Sequence, residues 1–185
     1  MTTQVFTLAN QLTMLRMLLV PVFVLLTLYG KSGWALTTFM FAGITDLLDG
    51  LAARKTSGKT DLGAWLDPIA DKLLIGATFI VLTLPNIGLV NRLPLWLTIT
   101  VISRDVGILL TVAIVNLAIG PRTFRPSPLG KLATAIFVLS CVVVMFFNYR
   151  GYASVWVDVA IWTSLGITIA SWVDYAWRLA RIINK

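Results

Sequence analysis

The sequence predicts an all-α polytopic membrane protein, with six transmembrane helices and a short N-terminal interfacial helix. Of its 185 residues, 58% are hydrophobic and 12% are charged, whereas about 25% of the residues of soluble domains are charged. Apolar runs long enough to cross a bilayer, about 20 residues each, recur along the whole chain. They fall at roughly 12–30, 34–53, 64–84, 94–119, 129–149 and 154–177. The sequence shows no internal repeat and no sign of a second domain, so residues 1–185 are interpreted as one membrane domain.

The N-terminal segment Phe6–Arg16 has two interpretations. Leu8, Leu12 and Leu15 recur at helical spacing with polar residues between them, a pattern typical of a helix that lies along the membrane interface. The same residues can instead be the first turns of the first span. No convincing small-residue cleavage site follows that span, so it is interpreted as an anchor and not as a removed signal peptide.

Tryptophans lie near the first or last residues of several predicted spans, and their amphipathic rings favour the headgroup region. These are Trp34, Trp96, Trp156 and Trp177. The positive charges between the spans then give the orientation. Ten lie on the side of the two termini, namely Arg16, Arg54, Lys55, Lys59, Arg122, Arg125, Lys131, Arg178, Arg181 and Lys185. Three lie on the other side, namely Lys31, Arg92 and Arg150. The positive-inside rule therefore predicts cytoplasmic termini and cytoplasmic 54–63 and 120–131 loops, in an inner (cytoplasmic) membrane.

Several classes of site are excluded by composition. The chain has no His and one Cys, so it cannot form a Ser-His-Asp triad, a His-ligated metal site or an internal disulfide. Cys141 lies in an apolar run and is interpreted as a small buried side chain. The net charge of +7 is dispersed between the apolar runs and not gathered on one polar face. This distribution favours anionic lipid headgroups over nucleic acid as partners.

A cluster of acidic residues begins at the end of the second span. Asp46, Asp49, Gly50 and Ala53 fall on one helical face, because successive residues turn by about 100°. A carboxylate in a bilayer costs at least ~2.5 kcal/mol without a compensating cation. Small residues on the same face let a substrate approach the backbone closely, and Arg54, one position further, can reach a phosphate.

The next predicted helix carries a second acidic face. Gly63, Asp67 and Asp71 recur at intervals of four residues and so lie on one side of that helix. A short loop makes the two helices antiparallel neighbours, which brings four carboxylates together. Oxygen ligands alone suit Mg²⁺ or Mn²⁺, and four carboxylates suit two ions. A structural ion-pair cluster using Arg54 and Lys72 is the alternative.

The combined pattern D-x2-D-G-x2-A-R-x8-G-x3-D-x3-D is met at all eight fixed positions. It resembles the signature of the CDP-alcohol phosphatidyltransferases. Asn10-x2-Thr13-x2-Arg16 is similar to a segment that members of this family carry before their first span. The resemblance covers most of the chain and implies a six-span fold, in which a homodimer would fit.

The resemblance implies transfer of a phosphatidyl group from CDP-diacylglycerol to an alcohol, with release of CMP. Asp46, Asp49 and Asp67 would then hold two metal ions, while Asp71 would contact the second ion and take the proton from the acceptor hydroxyl. The residues expected against CDP-diacylglycerol are Asn10, Thr13, Gly50, Ala53, Arg54, Thr60 and Gly63.

The acceptor depends on other residues. Arg104 lies inside the fourth predicted span, where an ionisable residue is a functional candidate, although a local pair with Asp105 or a role as an interface anchor also explains it. With Arg125 and Lys131 it forms a basic set suited to a second phosphate. Gly130-Lys131, followed by Thr134, is similar to a segment of phosphatidylglycerophosphate synthases. The basic set favours an acceptor with a phosphate over an uncharged one, and glycerol 3-phosphate is the predicted acceptor.

Two other functions stay open from the sequence. Ser103-Arg104-Asp105 and Arg125-Pro-Ser-Pro128 resemble segments of cardiolipin synthases, whose acceptor, phosphatidylglycerol, also carries a phosphate. A small cation transporter would also place acidic residues in membrane helices, but it would not require the Gly, Ala and Arg positions between them.

Overall fold

A computed structural model describes residues 8–55, 61–119 and 127–183 of the chain. Side chains are not described at 8–10, 46–55, 61–69, 71, 112–116, 118–119 and 179–183. The described residues form six helices and no strand. The helices are α1 Leu8–Leu28, α2 Ser32–Lys55, α3 Asp61–Thr83, α4 Leu95–Ile119, α5 Pro128–Arg150 and α6 Val155–Ile183.

Three of these helices contain a described segment that is long and apolar enough to cross a membrane. The segments are Gln11–Leu28, Pro128–Arg150 and Val155–Arg178, and α3 carries a shorter apolar stretch, Lys72–Thr83. The part of the chain that the structure describes is therefore all-helical, and three of its helices have the length and composition of membrane spans. The predicted segment Phe6–Arg16 falls largely within α1, which runs unbroken from Leu8, while Phe6 lies outside the described residues.

The core lies where α1, α2, α3 and α5 meet. Helix α1 packs against both α2 and α3, and α5 packs against α2, α3 and α6. The rings of Phe23 on α1 and Phe39 on α2 are 5.9 Å apart between centroids. Those of Phe79 on α3 and Phe137 on α5 are 5.7 Å apart and meet edge to face, the arrangement that the ring quadrupoles favour.

A stripe of small and hydroxyl side chains on α6 allows close helix packing. Ala160, Ser164, Thr168 and Ser171 are all buried and recur at helical intervals. Ser164 donates to the Ser140 hydroxyl of α5 at 2.9 Å. Small residues let backbones approach closely in lipid, where no hydrophobic force drives helices together. The stripe therefore lets the middle of α6 pack closely against its neighbours.

The connections at one end of the bundle are tight and fully described. Gly151, at the end of α5, has a φ of 74° and donates to the carbonyls of Phe147 and Asn148, which is typical of a glycine helix cap. The Asn148 side chain donates to the Asn91 carbonyl at 2.9 Å and accepts from the Asn91 amide at 2.7 Å. The Asn91 side chain donates to the Tyr152 carbonyl at 2.9 Å. These bonds join the α3–α4 loop to the α5–α6 turn at what we call the far end.

The predicted tryptophans lie at helix ends and are exposed. Trp34, Trp96 and Trp156 are in the first turns of α2, α4 and α6, and Trp177 is in the last part of α6. Arg16, one of the ten positive residues counted on the side of the termini, is not exposed. Arg16 is 1% exposed, so it belongs to the interior of the bundle and not to a surface that faces headgroups. Without it the charge balance between the two sides is still nine against three.

Candidate functional site

The four candidate metal-binding aspartates belong to two helices that share a neighbour. Asp46 and Asp49 are on α2, Asp67 and Asp71 are on α3, and both helices pack against α1. The side chains of all four aspartates lie outside the described residues. Among the side chains that are described, no group of three acidic, Cys or His residues forms a metal site. The available donors are carboxylate oxygens, and this donor set fits Mg²⁺ or Mn²⁺.

Most of the residues expected against CDP-diacylglycerol also fall outside the description. Asn10, Gly50, Ala53, Arg54 and Gly63 are in helices whose side chains are not described at those positions, and Thr60 lies between α2 and α3, outside the described ranges. Thr13 is described and is completely buried. It lies one turn before Arg16 on the helix that both acidic helices contact.

Arg104 is the best-defined candidate residue, and it lies toward the end of the bundle that is opposite to the far end. It is 4% exposed, and its Nε and Nη2 donate to the Ser171 hydroxyl of α6 at 3.2 and 2.6 Å. Its Nη1 donates to Asp105 Oδ1 at 2.6 Å. The local pair with Asp105 that the sequence left open is therefore present. These bonds use three of the five N–H groups of a guanidinium.

Asp105 also binds a second cation. Its Oδ2 lies 3.2 Å from Nζ of Lys72 on α3. Lys72 therefore pairs with α4, and it is the residue that directly follows Asp71 in the chain. One carboxylate thus links the helix that carries Asp67 and Asp71 to the helix that carries Arg104.

The start of α5 lies directly beside the Arg104 guanidinium. A methyl group added at Gly130 would lie 3.3 Å from Arg104 Nη2 and 3.2 Å from the Ser127 hydroxyl, so the absence of a side chain at 130 makes room for both. Ser127 caps the helix and accepts from the Gly130 amide at 2.9 Å. Lys131 follows in the first turn and is exposed. Two of the three residues predicted to bind the acceptor phosphate are therefore in neighbouring segments, and Arg125, the third, lies outside the described residues.

Helix α6 completes this end with a charged turn. Arg178 Nε donates to both oxygens of Asp174, at 3.0 and 2.9 Å, and the Ser127 side chain lies next to the same carboxylate. Asp174 and Arg178 were not predicted as site residues, and neither was Ser171. The hydroxyl stripe of α6 was the only signal in the sequence for Ser171, because its partner is 67 residues away.

Comparison with known proteins places the chain in a family. The family model described as CDP-alcohol phosphatidyltransferase matches residues 6–170. A probable phosphatidylglycerophosphate synthase of Mycobacterium tuberculosis is 35% identical, over 96% of this chain and 83% of its own. A cardiolipin synthase (CMP-forming) of Streptomyces coelicolor is 33% identical, over 99% of this chain and 87% of its own. A CDP-diacylglycerol–glycerol-3-phosphate 3-phosphatidyltransferase of Bacillus subtilis is 29% identical, over 92% and 93%. The chain therefore belongs to the CDP-alcohol phosphatidyltransferase family and is a membrane transferase of phospholipid biosynthesis.

Proposed function

We propose that this enzyme transfers the phosphatidyl group of CDP-diacylglycerol to the hydroxyl of glycerol 3-phosphate, giving phosphatidylglycerophosphate and CMP. The observation that favours an acceptor with a phosphate is Arg104, a buried cation whose guanidinium lies beside Gly130 in the first turn of α5. Two of its N–H groups are not used by the described partners and can bind an acceptor phosphate. Membership of the family favours this transferase over a cation transporter.

The aspartates supply the rest of the chemistry. Asp46, Asp49, Asp67 and Asp71 would hold two Mg²⁺ or Mn²⁺ ions, which neutralise the diphosphate and the departing CMP when they are bound. Asp71 would accept the proton of the acceptor hydroxyl, because the chain has no His to act as the base. Asn10, Thr13, Gly50, Ala53, Arg54, Thr60 and Gly63 would contact CDP-diacylglycerol. No covalent intermediate with the enzyme is needed.

Cardiolipin synthesis is the second candidate, because the relative from Streptomyces coelicolor carries that name. Its acceptor, phosphatidylglycerol, also has a phosphate for Arg104. Purified enzyme with radiolabelled CDP-diacylglycerol should form phosphatidylglycerophosphate when glycerol 3-phosphate is supplied. With phosphatidylglycerol, myo-inositol or serine as the sole acceptor, the same enzyme should give little labelled lipid. Preferred formation of cardiolipin would contradict the proposed acceptor.

We also propose that all six helices cross the inner membrane, with both termini and the active site on the cytoplasmic side and Leu8–Arg16 continuous with the first span. A homodimer is the proposed assembly. The apolar lengths of α1, α5 and α6 and the charge balance support this topology. The Arg104 and Lys131 segments lie at the end of the bundle opposite to Arg92 and Arg150.

The orientation predicts which cysteines react in intact cells. In a Cys141→Ser background, a cysteine at Lys59 or Arg125 should be protected from a membrane-impermeant thiol reagent. One at Arg92 or Arg150 should react, because these positions face outward in the proposed topology. Labelling after cell lysis provides the control, since all four cysteines should then react. The reverse pattern in intact cells would place the active site on the outer face.

A further inference from the structure

Asp105 stands between two cations that come from different helices. One of its oxygens is 2.6 Å from Arg104 Nη1 and the other is 3.2 Å from Lys72 Nζ. Since each oxygen has its own cation, the carboxylate cannot rotate without giving up one of them. The Asp105 side chain is 21% exposed and the Arg104 side chain 5%, so the contact with Arg104 is largely shielded from water.

Ser171 holds the other edge of the same guanidinium. It accepts from Nε and from Nη2, whereas Asp105 takes Nη1. Asp105 on α4 and Ser171 on α6 therefore hold different nitrogens of the planar guanidinium, and together they fix its orientation. The N–H groups that remain on Nη1 and Nη2 then point in fixed directions, which is the condition for bidentate recognition of a phosphate.

Two physical effects of Asp105 on a bound phosphate have opposite signs. As a charge, the carboxylate repels a phosphate and offsets one of the two cations, so its removal would strengthen phosphate binding. As an anchor, it holds Arg104 in place, so its removal would weaken phosphate binding. Whether the removal of Asp105 strengthens or weakens phosphate binding therefore distinguishes the two roles.

We propose that Asp105 is a positioning residue for the acceptor. It holds the Arg104 guanidinium in the orientation that binds the acceptor phosphate, and through Lys72 it keeps that guanidinium in register with the helix that carries Asp67 and Asp71. Asp105 itself does not touch the acceptor. The proposal rests on the proposed function, because it assumes an acceptor that carries a phosphate.

The test is the kinetics of the purified enzyme with each substrate varied in turn. Asp105→Asn should raise the KM for glycerol 3-phosphate by roughly tenfold to a hundredfold, because the neutral amide no longer attracts Arg104 and Lys72 by charge and its NH₂ group cannot accept from Lys72. The KM for CDP-diacylglycerol should be unchanged. Asp105→Glu keeps the charge, so its KM for glycerol 3-phosphate should be closer to that of the wild type than to that of Asp105→Asn. Asp158→Asn is the matched control, because Asp158 is exposed in the first turn of α6 at the far end, and it should leave both constants unchanged.

A lowered or unchanged KM for glycerol 3-phosphate in Asp105→Asn would overturn the proposal. General damage to the fold would reduce the active fraction and kcat but would not shift one KM alone. If Asp105→Asn does not insert or fold, Ser171→Ala and Ser171→Thr decide instead. Ser171→Ala removes the second anchor without a change of charge and should raise the same KM, Ser171→Thr should retain it, and an unchanged KM in Ser171→Ala would overturn the proposal.

The proposed acceptor and the proposed role of Asp105 fail in different ways. A wild-type enzyme that uses phosphatidylglycerol and not glycerol 3-phosphate would contradict the acceptor, and the role of Asp105 would then be decided by the KM for phosphatidylglycerol. A wild-type enzyme that uses glycerol 3-phosphate, with an Asp105→Asn variant that has the same KM, would contradict the role of Asp105 alone.

Discussion

Replacement of Asp71 by Asn should leave CDP-diacylglycerol bound but reduce its transfer by ~10²–10⁴-fold, the loss typical of a missing acid–base catalyst. The amide keeps the shape of the side chain but cannot accept the proton of the acceptor hydroxyl. Three carboxylates remain to hold the ions, so the lipid nucleotide should still bind when Mg²⁺ is present. Titration of CDP-diacylglycerol at fixed Mg²⁺, together with single-turnover transfer, measures the two effects separately.

Asp46→Asn is the comparison that gives this experiment its meaning. We expect Asp46 to be shared by both ions, so its loss should weaken lipid-nucleotide binding as well as transfer. All four aspartates would otherwise look alike in an activity assay. Equal loss of CDP-diacylglycerol affinity in the two variants would show that Asp71 is chiefly a metal ligand, and the base would then be unassigned.

Removal of divalent metal should abolish activity. EDTA is expected to stop transfer completely, and added Mg²⁺ or Mn²⁺ should restore it, because four carboxylates without His or Cys ligands suit these hard cations. Asn at Asp46, Asp49 or Asp67 should lower activity strongly while the protein still inserts into the membrane. The control is the membrane insertion of each variant, measured by immunoblotting of washed membranes. Sustained turnover in excess chelator would contradict a two-metal site.

The helices could be predicted from the sequence because each one depends on local features. Runs of apolar residues of bilayer length predicted six helices, and the observed elements begin and end within a few residues of them for α2 to α5. Helix α6 is longer than expected and ends at Ile183, because its last turns are basic and an apolar run does not include them. Ser127 and Gly151 bound α5 as an N-cap and a glycine C-cap, which are also local signals.

The partners across helices could not be predicted in the same way. Helical spacing indicates which residues share a face, but not which neighbouring helix that face meets. Lys72 was considered as part of a structural cluster with the acidic residues, yet it pairs with Asp105 on α4. Arg104 was singled out as a charged residue inside an apolar run, and it is buried in α4. Ser171, which binds two of its nitrogens, is uncharged, and its position in the sequence gives no sign of this contact. The four signature aspartates were recognised through their spacing, and their roles stay predictions.

The paired asparagines at the far end make unequal demands on the sequence. Asn148 uses its side-chain amide for two hydrogen bonds, and both are to main-chain atoms of residue 91. Asn91 uses its own side chain only once, toward the Tyr152 carbonyl. A different residue at 91 would therefore give up one hydrogen bond and keep two, whereas a different residue at 148 would give up two and leave the peptide groups of a buried residue unsatisfied. Position 148 is constrained by the chemistry of its side chain, and position 91 mainly by the path of its backbone.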